Sequence, residues 1–175
     1  MKIIKKIISL VLLLSCLVAI LTSCSKKVKF EDVKYEENGL RFYLPNTMQR
    51  QDSEDYEFYF SGRTMDVAFS ALKLTEEFLK KAEIEPGVTA EEYVDIIIEK
   101  RDFVKSKLYY THYEESGQYN FRYNYVSESG FEVFFYVTVL GTPDNLWYIE
   151  MCCSQDESGE YLDMFDSWRK TLTTY

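Results

Sequence analysis

The sequence predicts an α+β fold in which an antiparallel β-sheet, made of a hairpin and a four-strand meander, carries helices packed on its faces. Two observations lead there. Between residues 108 and 153 four runs of strand-forming residues follow one another with only short, glycine-marked connections. Such links are too short for the crossovers that parallel pairing needs, so the runs must pair antiparallel. One segment at helical spacing precedes that meander and another follows it.

The chain opens Met1-Lys2-Ile3-Ile4-Lys5-Lys6, and residues 7–21 are then apolar apart from Ser9, Ser15 and Cys16 as mild interruptions. This is the charged start and apolar run of a secretory signal. The run is short for a permanent span, which needs about 20 apolar residues. It ends in Leu21-Thr22-Ser23-Cys24, which resembles the lipobox of bacterial lipoproteins: an aliphatic residue, two small residues and a cysteine. The resemblance implies that residues 1–23 are a removed signal peptide and that Cys24 becomes the acylated first residue of the mature chain. Residues 24–37 are then a lipidated N-terminus and tether, and residues 38–175 the domain. The same resemblance implies a diacylglycerol and palmitate-type chains on Cys24, anchoring the protein at the cell membrane on its extracytoplasmic side, where a single acyl chain would hold only marginally and two hold firmly. The alternative is an ordinary signal, or an uncleaved anchor helix, with a chance cysteine.

From residue 25 to 37 the chain is charged and weakly periodic, and is expected to be a tether. In Gly39-Leu40-Arg41-Phe42-Tyr43-Leu44-Pro45, Leu40, Phe42 and Leu44 alternate with Arg41 and Tyr43, the period of a half-buried strand, and Pro45 ends it. Tyr56, Phe58 and Phe60 alternate again; after a turn at Ser61-Gly62-Arg63, Met65, Val67, Phe69 and Ala71 return, giving a hairpin. Residues 75–81 suit a short helix. Thr89-Ala90-Glu91-Glu92 is a capping box, with Val88 and Tyr93 placed as a staple. Tyr93, Val94, Ile97, Ile98 and Val104 share one face, so a helix over 90–105 should lie on the sheet. The meander strands are 108–114, 119–126, 131–140 and 146–153. Tyr161, Phe165, Trp168 and Leu172, spaced four, three and four, predict a final amphipathic helix.

The order of elements is itself informative: "NGLRFYLP" before a hairpin, a capped helix, a meander ending "LWYIEMCC", then "YLDMFDSWRKTL". With its G-x-x-F-x-x-P opening, this resembles the PsbP-like superfamily of α-β-α sandwiches, which includes small bacterial lipoproteins and DcrB-type envelope proteins. The likeness spans about Tyr35 to Tyr175. It implies a domain that binds other proteins or serves as an accessory subunit.

Charge narrows the partners. The chain carries a formal net charge of −9, and loss of residues 1–23 removes Lys2, Lys5 and Lys6 as well. So acidic a protein is poorly suited to phosphate backbones, and no nucleic acid partner is expected. Lys26, Lys27 and Lys29 directly follow the lipid site. Each gains about 1 kcal/mol beside anionic headgroups, or else merely solvates the tether.

Catalytic signatures are few. His112 is the only histidine, and no recognisable nucleophile stands beside it in sequence. Cys152 and Cys153 are adjacent, so a strand would point them to opposite faces; a vicinal redox pair is the alternative. One histidine with two adjacent cysteines falls short of a zinc set. Neither Asp52, Glu54 and Asp55 nor Asp156, Glu157 and Glu160 follow the spacing of a calcium loop. No phosphate-binding or nucleophile-elbow motif occurs, although a spatial carboxylate pair for glycoside hydrolysis stays open. Tyr119, Phe121, Tyr123 and Tyr125 fall on one face of a strand, with Asn120, Arg122 and Asn124 on the other. These rings either fill the core or line a contact surface for peptides or sugars. The resulting expectation is a non-enzymatic envelope lipoprotein, without cofactor or metal, that binds a protein or peptide partner; the alternative is a sensing module for cell-wall sugars or small solutes.

Overall fold

The computed structural model describes residues 31–100, 106–126 and 129–175, with 106–113 defined through their backbone alone. Strands β1 (Asp32–Glu37), β2 (Leu40–Pro45), β3 (Met48–Arg50), β4 (Phe58–Gly62) and β5 (Val67–Lys73) come first, followed by helices α1 (Glu76–Lys81) and α2 (Ala90–Lys100). Then come β6 (Ser106–Glu115), β7 (Gln118–Val126), β8 (Glu132–Thr142) and β9 (Asn145–Ser154). A 3-10 turn (Gln155–Glu157), α3 (Ser158–Arg169) and β10 (Thr173–Thr174) complete the chain.

The expected hairpin and meander are both present, and they join. Seven strands in the order β3-β4-β5-β9-β8-β7-β6 form one antiparallel sheet, because β5 pairs with β9 along its whole length, from Val67 opposite Cys153 to Lys73 opposite Trp147. A second, three-stranded sheet, β1-β2-β10, lies apart in hydrogen bonding. Together with the helices this is an α+β architecture.

Strand alternation assigns the two faces. Phe134, Tyr136, Trp147, Ile149 and Met151 point to one side of the large sheet, where they pack with Leu40, Phe42 and Leu44 of β2 and with Phe165 and Trp168 of α3. Phe121, Tyr123, Val137, Val139, Leu146 and Tyr148 point to the other, under Leu79 of α1 and Tyr93 and Val94 of α2. Of the α2 face expected from sequence, Ile97 and Ile98 are half-buried, and Val104 lies outside the described residues. The capping box forms as expected: the Thr89 amide donates to Glu92 Oε2 at 2.8 Å and the Glu92 amide to Thr89 Oγ1 at 3.3 Å.

One sequence expectation is corrected, and one short strand is added. The segment read as tether to Glu37 is strand from Asp32 onward, paired with β2 in register from Asp32 opposite Pro45 to Glu37 opposite Leu40. Its burial shows no alternation, since one face only covers the sheet edge and the rest is solvated. The polar stretch before Tyr56 contains β3, whose three residues pair with the end of β4. The β1–β2 turn is Asn38-Gly39, with φ of 55° and 91°. Positive φ at both positions suits a two-residue hairpin turn, and a Cβ on Gly39 would come within 2.9 Å of the Asn145 side chain.

A buried cation ties α3 to the sheet. Arg169, 1% exposed, donates to Gln118 Oε1 at 2.9 Å, Glu115 Oε2 at 2.7 Å and Asp166 Oδ1 at 3.1 Å. Gln118 in turn donates to the carbonyls of Arg169 and Leu172 at 3.3 and 3.0 Å, which satisfies the open end of the helix.

Candidate functional site

On the α1/α2 side the cover is incomplete, and a cleft of about 340 Å³ remains between Tyr56, Leu72, Phe78, Tyr93, Tyr148 and Glu150. Local sequence explains its base. In β9 the side that carries Leu146 and Tyr148 also receives Glu150, a carboxylate set between the apolar Ile149 and Met151. Glu150 is 8% exposed. Its Oε1 accepts from the Tyr123 hydroxyl at 2.5 Å and from the Tyr148 hydroxyl at 3.2 Å, so three neighbouring polar tips satisfy one another beneath an apolar rim. Lys100 also lines the cleft, and its ammonium donates to the carbonyls of Ala82 and Glu83 at 3.2 and 3.0 Å.

The cleft continues into a charged groove. A second depression of about 570 Å³ shares Tyr56, Leu72, Phe78 and Ala82 with it and adds Glu54, Asp55, Glu57, Lys73 and Lys81. Glu57 Oε2 accepts from the Lys73 amide at 2.8 Å, which fixes the loop before β4 against the end of β5. An aromatic cleft with a charged approach is suited to binding a side chain or a small solute whose polar end stays at the groove.

The sequence candidates are scattered by the fold. Cys24 lies outside the described residues. His112 is described by backbone only, in the part of β6 where the register with β7 shifts between Tyr109 and Tyr113. Cys152 is half-buried, Cys153 is buried, and both are free thiols. Burial, aided by the nearby Glu150 charge, pushes the Cys152 thiol up to about 11; burial again, then the neighbouring Cys152, pushes Cys153 up to about 12. Neither is a ready thiolate at neutral pH. Asp52, Glu54 and Asp55 are exposed in the loop before β4, whereas Asp156, Glu157 and Glu160 sit around the start of α3. Among the described residues no group of three or more His, Cys, Asp or Glu side chains is arranged to hold a metal ion.

Of the β7 rings, Phe121 and Tyr123 are buried, Tyr119 is half-buried and Tyr125 is exposed. Tyr123 stacks on Phe135 with centroids 4.7 Å apart. They are chiefly core, and only Tyr123 reaches the polar tips below the cleft. On the other face Asn120 is buried too, its Oδ1 accepting from Thr138 Oγ1 at 2.7 Å. Sequence reasoning missed Glu150; the signal was a lone charge inside the apolar run "LWYIEMCC". No described helix is long and apolar enough to cross a membrane.

No family model matches the sequence, and no curated protein matches it in sequence. Solved structures do match in shape. The cyanobacterial PsbP (CyanoP) of Synechocystis sp. PCC 6803 superposes with a TM-score of 0.56 at 14% identity, over 87% of this chain and 97% of that one. The Ran-binding protein Mog1p of Saccharomyces cerevisiae superposes with a TM-score of 0.51 at 10% identity, over 83% of this chain and 96% of that one. The fold is therefore PsbP-like. At such identities the likeness speaks to fold alone.

Proposed function

We propose that this PsbP-like chain is a lipoprotein of the bacterial cell envelope, held on the extracytoplasmic side by lipid on Cys24, whose domain binds a protein or peptide partner and catalyses no reaction. The observation that carries the anchoring is Leu21-Thr22-Ser23-Cys24 placed directly behind a basic start and an apolar run. Partner binding is supported by the charged groove that leads into an aromatic cleft. Mog1p, on the same scaffold, is a Ran-binding protein, so the architecture serves a protein partner there. The buried carboxylate of the cleft has a structural use, since two tyrosine hydroxyls donate to one of its oxygens.

Mass spectrometry of the mature N-terminus, with fatty-acid labelling of wild type and Cys24→Ala, tests the anchor. Label on wild type, none on the variant, and release of the variant from the membrane fraction are expected. An unmodified Cys24 or a retained Met1 overturns it. Crosslinking in intact cells should recover one partner repeatedly, and recovery of none counts against the binding reading.

One observation favours a second reading, a sensor of wall sugars or small solutes: the cleft carries Tyr56, Tyr93 and Tyr148 at its walls, and its 340 Å³ falls within the size of small-molecule sites. A thermal-shift screen of such solutes should then find a stabilising ligand whose effect is weakened by Tyr93→Ala.

A further inference from the structure

We propose that the end of the domain from which the tether leaves is a membrane-facing surface, resting its exposed aromatic side chains on the headgroup region of the bilayer. This rests on the reading of Cys24 as the lipid anchor. The first argument is reach. The chain is fixed from Glu31, whose carbonyl accepts from the Asn46 amide at 2.9 Å. An extended chain from Cys24 to Glu31 therefore spans no more than ~25 Å. The far end, where the Asn38-Gly39 turn meets Asn145, is one six-residue strand away, ~20 Å at strand rise, so the tether keeps the Glu31 end near the bilayer and the side chains decide which end rests on it.

The second argument is where the apolar side chains lie. Asp32 is opposite Pro45, and three residues later Met48 is opposite Gly62. From there the row continues through the register to Val67, Cys153, Phe134 and Asn124, so the tether exit, the β4–β5 turn and the β7–β8 connection share one end. Among the described residues five large apolar side chains are exposed. Phe131 (55%) stands on the β7–β8 connection and Tyr125 (43%) at the end of β7, and Val33 and Tyr43 stand near the β1 start and β2 end; only Tyr175 is at the opposite end.

Chemistry selects a lipid surface as the occupant. Aromatic rings are favoured at the boundary between headgroups and acyl chains. Asp32, Asp66, Glu132, Asp156 and Glu157 lie at the same end, with Arg63 on the β4–β5 turn, so this end is acidic and its membrane contact is apolar and does not require anionic lipid. The opposite end, with Lys73, Asn145 and the charged groove, is left facing away from the membrane.

The test uses the mature, lipidated chain in phosphatidylcholine vesicles that carry a quencher on the headgroup. A fluorophore is placed on Thr64→Cys, in the β4–β5 turn, or on Asp144→Cys, in the β8–β9 turn, with the wild type as blank for labelling of Cys152. Quenching several-fold stronger at Thr64→Cys than at Asp144→Cys is expected; equal quenching, or stronger quenching at Asp144→Cys, overturns the proposal. Adding Tyr125→Ser and Phe131→Ser should lower the Thr64→Cys quenching several-fold. An unchanged value leaves orientation to the tether alone and overturns the aromatic contact. Co-sedimentation and the mass of the N-terminal peptide are read on the same samples. A chain that is lipidated and vesicle-bound but shows no bias refutes the orientation alone, whereas one that carries no lipid and stays in solution refutes both readings.

Discussion

The two faces of the seven-stranded sheet are covered by different means. On the β2/α3 side a second sheet and a twelve-residue helix fill the surface, and Phe42 alone meets the rings of Tyr35, Phe58, Phe60 and Phe69 with centroids 4.8 to 6.0 Å away. On the other side α1 has six residues and α2 eleven, ~9 and ~16 Å of helix at 1.5 Å per residue. Seven strands at their usual spacing are ~29 Å wide, so two such helices leave part of the sheet uncovered. The cleft is the uncovered part. A closed face holds the fold together; an open face of the same sheet is where a ligand or partner can be accommodated without dismantling it.

The largest effect should come from the closed face. Phe42→Ala removes a ring that is 1% exposed and should cost about 3–5 kcal/mol, read as a lower urea midpoint. Phe78→Ala, on a half-buried ring that lines both depressions of the open face, should cost about 1 kcal/mol. A loss as large as that of Phe42→Ala would mean that the open face is closed in solution, and the contrast between the faces would fail.

The smallest effect belongs to the rim of the small sheet. Hydrogen bonds from Arg41 and from Lys34 pull the exposed Glu36 carboxyl from 4.5 down to about 2. A depressed folded-state value means stabilisation that is complete above about pH 4.5 and is lost as the pH falls toward 2. The stability difference between wild type and Glu36→Gln should therefore be small at neutral pH, shrink within that window, and vanish at its lower end. A difference that grows on acidification would contradict the pairing.

Much of this contrast was legible in the residues. The alternation of Leu40, Phe42 and Leu44 gave the buried strand, and the reciprocal box at Thr89 and Glu92 gave the start of α2, because each is a local pattern with a local cause. The spacing of Phe165, Trp168 and Leu172 predicted the buried side of α3, although Leu172 lies in the turn beyond the helix. Strand β1 was not legible from periodicity, since it is solvated on nearly every residue; the signal that could have found it was the Asn38-Gly39 dipeptide, which favours a two-residue hairpin. The pairing of β5 with β9 and the burial of Arg169 depend on segments far apart in sequence, and no local pattern encodes either. Glu150 was visible as an odd charge in an apolar run, but its meeting with Tyr123 required the register of three strands.

The final residues close the structure. Thr173 and Thr174 pair with Arg41 and Leu40, and the Tyr175 amide donates to the Gly39 carbonyl. This gives the domain a high contact order, with one of its earliest strands completed by its last residues. A chain made N-terminus first supplies Thr173 and Thr174 long after β2, so β2 gains its second neighbour only late, and loss of these two residues should be felt first as slower folding.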